Sequence, residues 1–311
     1  MDRIKNWLKN TPYEKYEVTI ASADASFREY FRLTLDDESV LLMDSSLEKE
    51  SIKPFLDVSA RLLCVGVKAP RILLENVQEG FLIIEDFGNT HYLDILDADN
   101  YEQLYKNAID EIIKMQDAET TNLPLYDKEF LHFEMDLMDE WYFKKLLRRV
   151  LSDSHKEVVQ NTLDSISKVV LSQPQGVFVH RDFHSRNIMI TDKDSIGVID
   201  YQDAMSGAIT YDLVSLLKDC YINFEEEDID KLALYYRDKK GLDVSDELFI
   251  KWFDFMGMQR HIKVLGVFSR LYIRDGKKGY LKDIPLTLQY VFDTSKKYEE
   301  TKALTALLKV L

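Results

Sequence analysis

The sequence predicts an α+β protein of two lobes: a small β-rich N-terminal lobe over residues 1–86 and a larger, mostly helical C-terminal lobe over 87–311, with a hinge at about 85–89. Three observations predict it. Short apolar runs separated by turn residues fill the chain up to residue 86. Helical spacing of apolar residues takes over beyond Gly88. One short pair of apolar runs, Ile188-Met189-Ile190 and Ile196 to Ile199, interrupts that helical part and reads as a hairpin.

Taken in order, residues 1–10 form a short amphipathic helix with Ile4, Trp7 and Leu8 on one side. Glu17 to Ile20, Phe27 to Leu35 and Ser39 to Met43 are strand-like, parted by Ser/Ala/Asp and by Asp36-Asp37-Glu38. Residues 48–66 read as a helix, because Phe55, Val58, Leu62 and Val65 recur at helical spacing. Pro70 and Gly80 then punctuate two strands, Ile72 to Leu74 and Phe81 to Ile84. Helices are expected over 100–118, 134–150 and 154–171, and after the hairpin over about 210–221, 227–240, 245–274 and 283–310. This outline, a small sheet lobe followed by a large helical one, is that of the protein-kinase-like fold, in which a nucleotide lies between the lobes.

The bulk numbers exclude several classes. A chain of 311 residues, 46% hydrophobic and 31% charged, suits a globular protein with a sizeable core. A net charge of −15 argues against nucleic acid or an anionic membrane as partner, since both call for a basic face. Cys64 and Cys220 lack metal-site spacing and sit among apolar residues, so buried free thiols are expected. The charged residues 1–10 do not resemble a signal peptide, and no stretch has membrane-span length, which points to the cytoplasm. The sequence leaves the oligomeric state open and is compatible with a monomer.

The chemistry concentrates in His180-Arg181-Asp182-Phe183-His184-Ser185-Arg186-Asn187 and in Val198-Ile199-Asp200-Tyr201-Gln202-Asp203. A loop aspartate is followed five residues later by an asparagine and thirteen beyond that by a second aspartate. Phosphoryl transfer needs one carboxylate beside the attacking hydroxyl, and an amide oxygen and a second carboxylate to hold Mg²⁺ against the phosphates. Magnesium favours such hard oxygen ligands and takes only one or two carboxylates from a protein.

These motifs resemble those of the aminoglycoside-phosphotransferase and choline-kinase superfamily. Longer stretches are similar to its anomeric sugar kinases, which phosphorylate N-acetylmuramate and N-acetylglucosamine in cell-wall recycling. The stretches are Asp24 to Arg32, Leu42-Met43-Asp44, Glu85-Asp86-Phe87-Gly88, Thr210 to Leu217 and Gln259 to Gly266. They run in family order from about residue 21 to 290. The resemblance implies ATP and Mg²⁺ as cofactors, Asp182 as catalytic base or orienting group, and Asn187 and Asp200 as metal ligands. It implies adenine contacts from backbone groups of Glu85 and Phe87. His180 and Asp212 become scaffold, and Asp203 either meets a second metal or an acceptor, or buttresses its loop.

Two departures from the protein-kinase pattern stand out. The loop Asp24 to Arg28 has no glycine to cradle phosphate with backbone amides, so Ser26 and Arg28 or Arg32 are the candidates for that task. Leu41-Leu42-Met43-Asp44 has no lysine where the third strand of a protein kinase carries one, which leaves Lys49 and Arg28 to neutralise the phosphates.

The acceptor is expected to be a small molecule, because only about ten residues separate Asp200 from the helix near Tyr211, too few for a peptide platform. Gln259 to Lys278 holds six Lys/Arg against Asp275 alone, and Arg260, Lys263, Arg270 and Arg274 share a helical face. Turned toward the acceptor, that face suits an anionic or neutral sugar and repels a polycation. Gln259 and His261 are expected to add hydrogen bonds to sugar hydroxyl or acetamido groups. Three readings stay open: an anomeric amino-sugar kinase, another small-molecule kinase of aminoglycoside, choline or homoserine type, and a nucleotide-binding pseudokinase.

Overall fold

Alternation along the second strand sets the N-terminal sheet: Phe31 and Leu33 are buried while Arg32 and Thr34, which alternate with them, reach solvent. The structure, a computed structural model, describes residues 1–23, 28–191 and 195–310. They divide into two compact units, Met1–His91 with Ile188–Asp203, and Tyr92–Asn187 with Ala204–Leu311. The hairpin expected to interrupt the helical part therefore belongs with the strand-rich unit.

In that first unit, β1 (Glu17–Ala23), β2 (Glu29–Leu35), β3 (Glu38–Asp44), β4 (Ile72–Asn76) and β5 (Phe81–Glu85) form an antiparallel sheet in the order β1-β2-β3-β5-β4. Helix α1 (Asp2–Leu8) covers part of it: Ile4 and Leu8 join Phe31, Leu33, Leu42, Phe81 and Ile83 in one core, and Trp7 stacks on Phe81 at 5.0 Å. Each such side chain contributes about 1.5–3 kcal/mol on burial. Helix α2 (Ile52–Cys64) buries Phe55, Val58 and Leu62, the face the spacing predicted. Its last turn corrects one expectation: Cys64 is exposed, as is its neighbour Leu63, since both fall on the outer face of α2.

The hairpin β7 (Ile188–Thr191) and β8 (Ser195–Val198) attaches to the segments that precede β4 and follow β5. Ile190 N–H donates to the Thr90 carbonyl, and Val198 N–H to the Lys68 carbonyl. Gly197 is required here, because a Cβ would lie 2.5 Å from the Phe87 ring. On the other side Arg32 grips the same segment, with Nε and Nη2 on the two Asp86 oxygens (2.6 and 3.0 Å) and further bonds to Asn89 Oδ1 and the Gly88 carbonyl. The Asp86 side chain is almost fully enclosed, so deleting its cation strands a carboxylate. Arg32→Met is therefore expected to cost about 3 kcal/mol, read as a lower denaturant midpoint in equilibrium unfolding.

The second unit contains α3 (Tyr92–Ile95), α4 (Tyr101–Met115), α5 (Lys128–Met135), a π-helix (Met138–Leu146), α6 (Asp153–Val170), the pair β6 (Val177–Val179) and β9 (Met205–Gly207), and α7 (Tyr211–Leu217), α8 (Glu226–Lys240), α9 (Asp246–Ile273), α10 (Ile284–Lys297) and α11 (Lys302–Leu308). Helix α9 is the spine, buried on nearly all sides from Trp252 to Ser269. Two expected helices are split. Residues 134–150 end α5 at Met135 and continue as the π-helix, where Leu137 presses on Gly266 so closely that a Cβ there would sit 2.4 Å from its carbonyl carbon. Residues 283–310 break at Tyr298, extended at φ −121° and ψ 135°, whose hydroxyl reaches the buried Asp254 carboxylate at 2.8 Å. Asp254 also takes Lys218 Nζ (2.6 Å) and Lys297 Nζ (3.1 Å), a charged tie among α7, α9 and α10. Among the described residues no helix is long and apolar enough to cross a membrane.

Candidate active site

The helical unit carries the loop from His180 to Asn187. Two buried carboxylates stake it down, one at each end. Asp212, in the first turn of α7, accepts the backbone N–H groups of His180 (2.8 Å) and Arg181 (3.0 Å). Asp219, just past α7, accepts the N–H of Ser185 at 3.0 Å and its hydroxyl. Burial raises the Asp212 carboxyl above its usual range, against the pull of His180 and those N–H bonds. The scaffold role expected for Asp212 is what its bonds describe; Asp219, one turn beyond the motif, carried no sequence signal.

Between these stakes the backbone is strained. Arg181 sits at φ +78°, a left-handed conformation that costs a residue with a side chain about 1–2 kcal/mol. Asp182 follows, with nearly half of its side-chain surface open. Burial of its inner side would raise its pKa, but Lys263, Arg260, His184 and Arg181 outweigh that and hold the carboxyl well below the carboxylate range. Water at the open side screens part of this. Arg260 Nη2 lies 3.8 Å from Asp182 Oδ1 and donates to Ser215 Oγ at 2.7 Å. Lys263 Nζ bonds Tyr211 Oη (3.1 Å) and Glu134 Oε1 (3.0 Å).

The other residues expected at the acceptor are placed differently. Gln259 is fully buried, with Nε2 on Tyr126 Oη (2.9 Å) and Glu134 Oε2 (3.2 Å). His261 is also enclosed: its Nε2 meets the Lys218 carbonyl at 2.9 Å, its ring stacks on Tyr290, and burial lowers its pKa to about 3, keeping it neutral. Both are therefore scaffold groups that tie α9 to its neighbours, in place of the acceptor contacts expected of them. The cause is that α9 is buried all round, so its polar side chains meet protein.

Asn187 donates Nδ2 to the Asp182 carbonyl at 3.0 Å, which turns its Oδ1, the atom able to meet a metal, the opposite way. An amide oxygen of this kind is a hard donor that Mg²⁺ accepts.

In the strand-rich unit Asp200 follows β8 at φ +64°. Gln202 Nε2 bridges its carboxylate (3.0 Å) and that of Asp203 (3.3 Å), so the two acids are presented as a pair. Tyr201 between them is buried and stacks on Phe55 at 5.0 Å. Arg28, buried at the start of β2, lies close enough for its charge to act on Tyr201. Lys49, by contrast, donates Nζ to the Gln78 carbonyl at 2.6 Å, on the turn between β4 and β5. Arg32 is committed to Asp86, as described above. Ser26 lies outside the described residues. The Glu85 N–H is already taken by the Arg71 carbonyl at 2.9 Å, and the Phe87 ring packs over Gly197.

The strand-rich unit bears a carboxylate pair and the helical unit a staked loop aspartate and asparagine, residue types that phosphoryl transfer uses. The chain belongs to the phosphotransferase enzyme family, whose model matches residues 17–248. It is 41% identical to an N-acetylmuramate/N-acetylglucosamine kinase of Neisseria meningitidis serogroup B, over 98% of this chain and 94% of that one. A second enzyme of the same description, from Pseudomonas aeruginosa, is 36% identical over 95% of this chain and 88% of its own. The fold is shared with an aminoglycoside phosphotransferase solved with gentamicin (TM-score 0.65, 16% identity, 93% and 95% of the two chains). It is shared too with a choline kinase of Streptococcus pneumoniae (TM-score 0.65, 12% identity, 93% and 98%).

Proposed function

We propose that this enzyme transfers the γ-phosphoryl group of ATP to the anomeric hydroxyl of an amino sugar, N-acetylmuramate or N-acetylglucosamine, in the cytoplasm as a step of cell-wall recycling. The relatives' printed activity supports the reading. The observation that carries phosphoryl transfer to a hydroxyl is Asp182 itself, half open and held ionised on a loop staked by Asp212 and Asp219. The choice of an amino sugar as acceptor rests on the relatives' printed activity.

In this mechanism Asp182 accepts a hydrogen bond from the acceptor hydroxyl and fixes its line of attack. A carboxylate held ionised so firmly is a weak base, so it takes the proton late, when the oxygen has begun to bond phosphorus and the hydroxyl has become acidic. An anomeric hydroxyl suits that chemistry, being more acidic than an ordinary alcohol. Asn187 and Asp200 would hold Mg²⁺, which when bound neutralises the β and γ phosphates. Arg28 supplies the further cation on the nucleotide side that a protein kinase takes from its third strand, while Asp203, through Gln202, holds Asp200 in place. Most of the rate comes from positioning and charge neutralisation.

The test is ADP release by the purified protein with Mg²⁺ and ATP, comparing N-acetylmuramate, N-acetylglucosamine, kanamycin, choline and no acceptor. Turnover with the amino sugars alone is expected. Turnover with kanamycin or choline would keep the phosphotransferase assignment and sink the sugar reading.

A further inference from the structure

The charges beneath Asp182 are arranged around a residue that the sequence motifs do not contain. Glu134, at the end of α5, is 3% exposed, yet its carboxylate receives four donors. Arg181 Nη2 lies 2.5 Å from Oε1 and Lys263 Nζ lies 3.0 Å from the same atom. Gln259 Nε2 reaches Oε2 at 3.2 Å, and the Tyr126 hydroxyl donates there as well. The start of α5 is fixed in turn by Asp127, whose carboxylate caps the Phe130 N–H at 2.9 Å.

Two features give this cluster a purpose beyond packing. Arg181 occupies a left-handed backbone position that glycine would fill without strain, so an arginine there is held by its side chain. That side chain is clamped by Glu134 and lies over the Phe130 ring, 5.4 Å from its centre. Second, Glu134 and Asp182 compete for the same cations: Lys263 and Arg181 act on both carboxylates. Lys263, on a flexible stem, stays with Glu134 and Tyr211 Oη, while Asp182 is left with Arg260 at 3.8 Å, beyond hydrogen-bond reach.

We propose that Glu134 is a positioning residue for Asp182: it anchors Arg181, which fixes the turn into the catalytic aspartate, and it draws Lys263 away, leaving the Asp182 oxygens to the acceptor hydroxyl. The inference rests on Asp182 being the acceptor-orienting group, as proposed above. With Glu134 neutralised, Lys263 closes on Asp182 and blocks it. The groups facing Lys263 are Glu134 from α5, Tyr211 from α7, Arg181 and Asp182 from the loop, with Tyr126 and Arg260 in the same cluster.

The test is steady-state kinetics of Glu134→Gln from pH 6 to 9, on whichever acceptor the wild-type enzyme phosphorylates, so that failure of the sugar reading stays separate. Expected is a fall in kcat on the order of 10- to 100-fold at neutral pH, the scale of a misplaced catalytic group, with the KM for ATP unchanged. The loss is expected to persist across this pH range, because Lys263 paired with the Asp182 carboxylate keeps a counter-ion and stays protonated. Glu134→Gln combined with Lys263→Met removes the blocking ammonium and is expected to be faster than Glu134→Gln alone. Equal slowness of single and double variants at every pH would mean that Glu134 is scaffold only and overturn the proposal. Should both fold poorly, Arg181→Gly decides: the backbone strain it relieves offsets part of the cost of removing a cation from Glu134, which keeps Lys263, so it is expected to fold yet to be slower by about tenfold. Wild-type kcat in Arg181→Gly would likewise overturn the proposal.

Discussion

Asp182→Asn is expected to lower turnover by at least about a hundredfold, equivalent to about 2.7 kcal/mol of barrier, with the fold intact. The amide keeps the shape of the side chain and its place between Asp212 and Asp219, the two carboxylates that hold the loop. It loses the charge that orients the acceptor hydroxyl and that Arg260, Lys263 and Arg181 are arranged to hold ionised. The same charges fix the pH dependence. A carboxyl held below its usual range stays ionised as pH falls through 6 and 5, so Asp182 imposes no acid limb on kcat above about pH 4. A kcat profile flat on its acid side checks this; a limb with its midpoint near pH 6 would mean that another group controls the step.

Asp200→Asn is expected to have an effect of similar size, at least about a hundredfold in kcat, with a different signature. Replacing the carboxylate by an amide weakens the hold on a hard divalent cation, so residual activity should need much more Mg²⁺ for half-saturation. Asp182→Asn should leave that Mg²⁺ requirement where it was. The Gln202 bridge bears on the design of the variant, because its amide donates to both Asp200 and Asp203 and still has Asp203 when Asp200 is changed. A magnesium titration of the two variants side by side separates the roles, and retained turnover in a well-folded Asp200→Asn would overturn the metal assignment.

Much of this arrangement is legible in the sequence, for reasons that are local. The N-terminal strands show because Phe31, Leu33, Leu42, Phe81 and Ile83 alternate or cluster between turn residues, and they form the core the pattern implies. The hairpin shows because two apolar runs flank a polar turn, and its pairing joins Ile188 to Val198. What stayed hidden depends on contacts between distant residues. Glu134 sits in an ordinary amphipathic stretch, and nothing near it in sequence announces that Arg181 and Lys263 will converge on it. The change from α5 to a π-helix follows from the approach of Leu137 to Gly266, some 129 positions away in the chain.

Helix α9 misleads for a different reason. A helical wheel sorts its cations onto one face and suggests a cleft-facing stripe with Gln259 and His261 beside it. From Trp252 to Ser269 the helix is buried on nearly every side, so the cations there go to protein partners, Arg260 to Ser215 and Lys263 to Glu134 and Tyr211, while Arg274 lies past the helix end in solvent, paired with Asp275. Lys49 shows the same limit on a smaller scale. Its distance along the chain from β3 suited a phosphate-binding role, and only the folded turn after β4 reveals that its ammonium is used by the Gln78 carbonyl.

The most direct test of the account is the position of the phosphate in the product. Phosphorus NMR on the reaction of ATP with N-acetylglucosamine should show a sugar phosphate whose phosphorus couples to the anomeric proton, placing it on C1. A phosphate coupled to the two protons of C6, or ATP turnover that leaves the sugar unmodified, would contradict it.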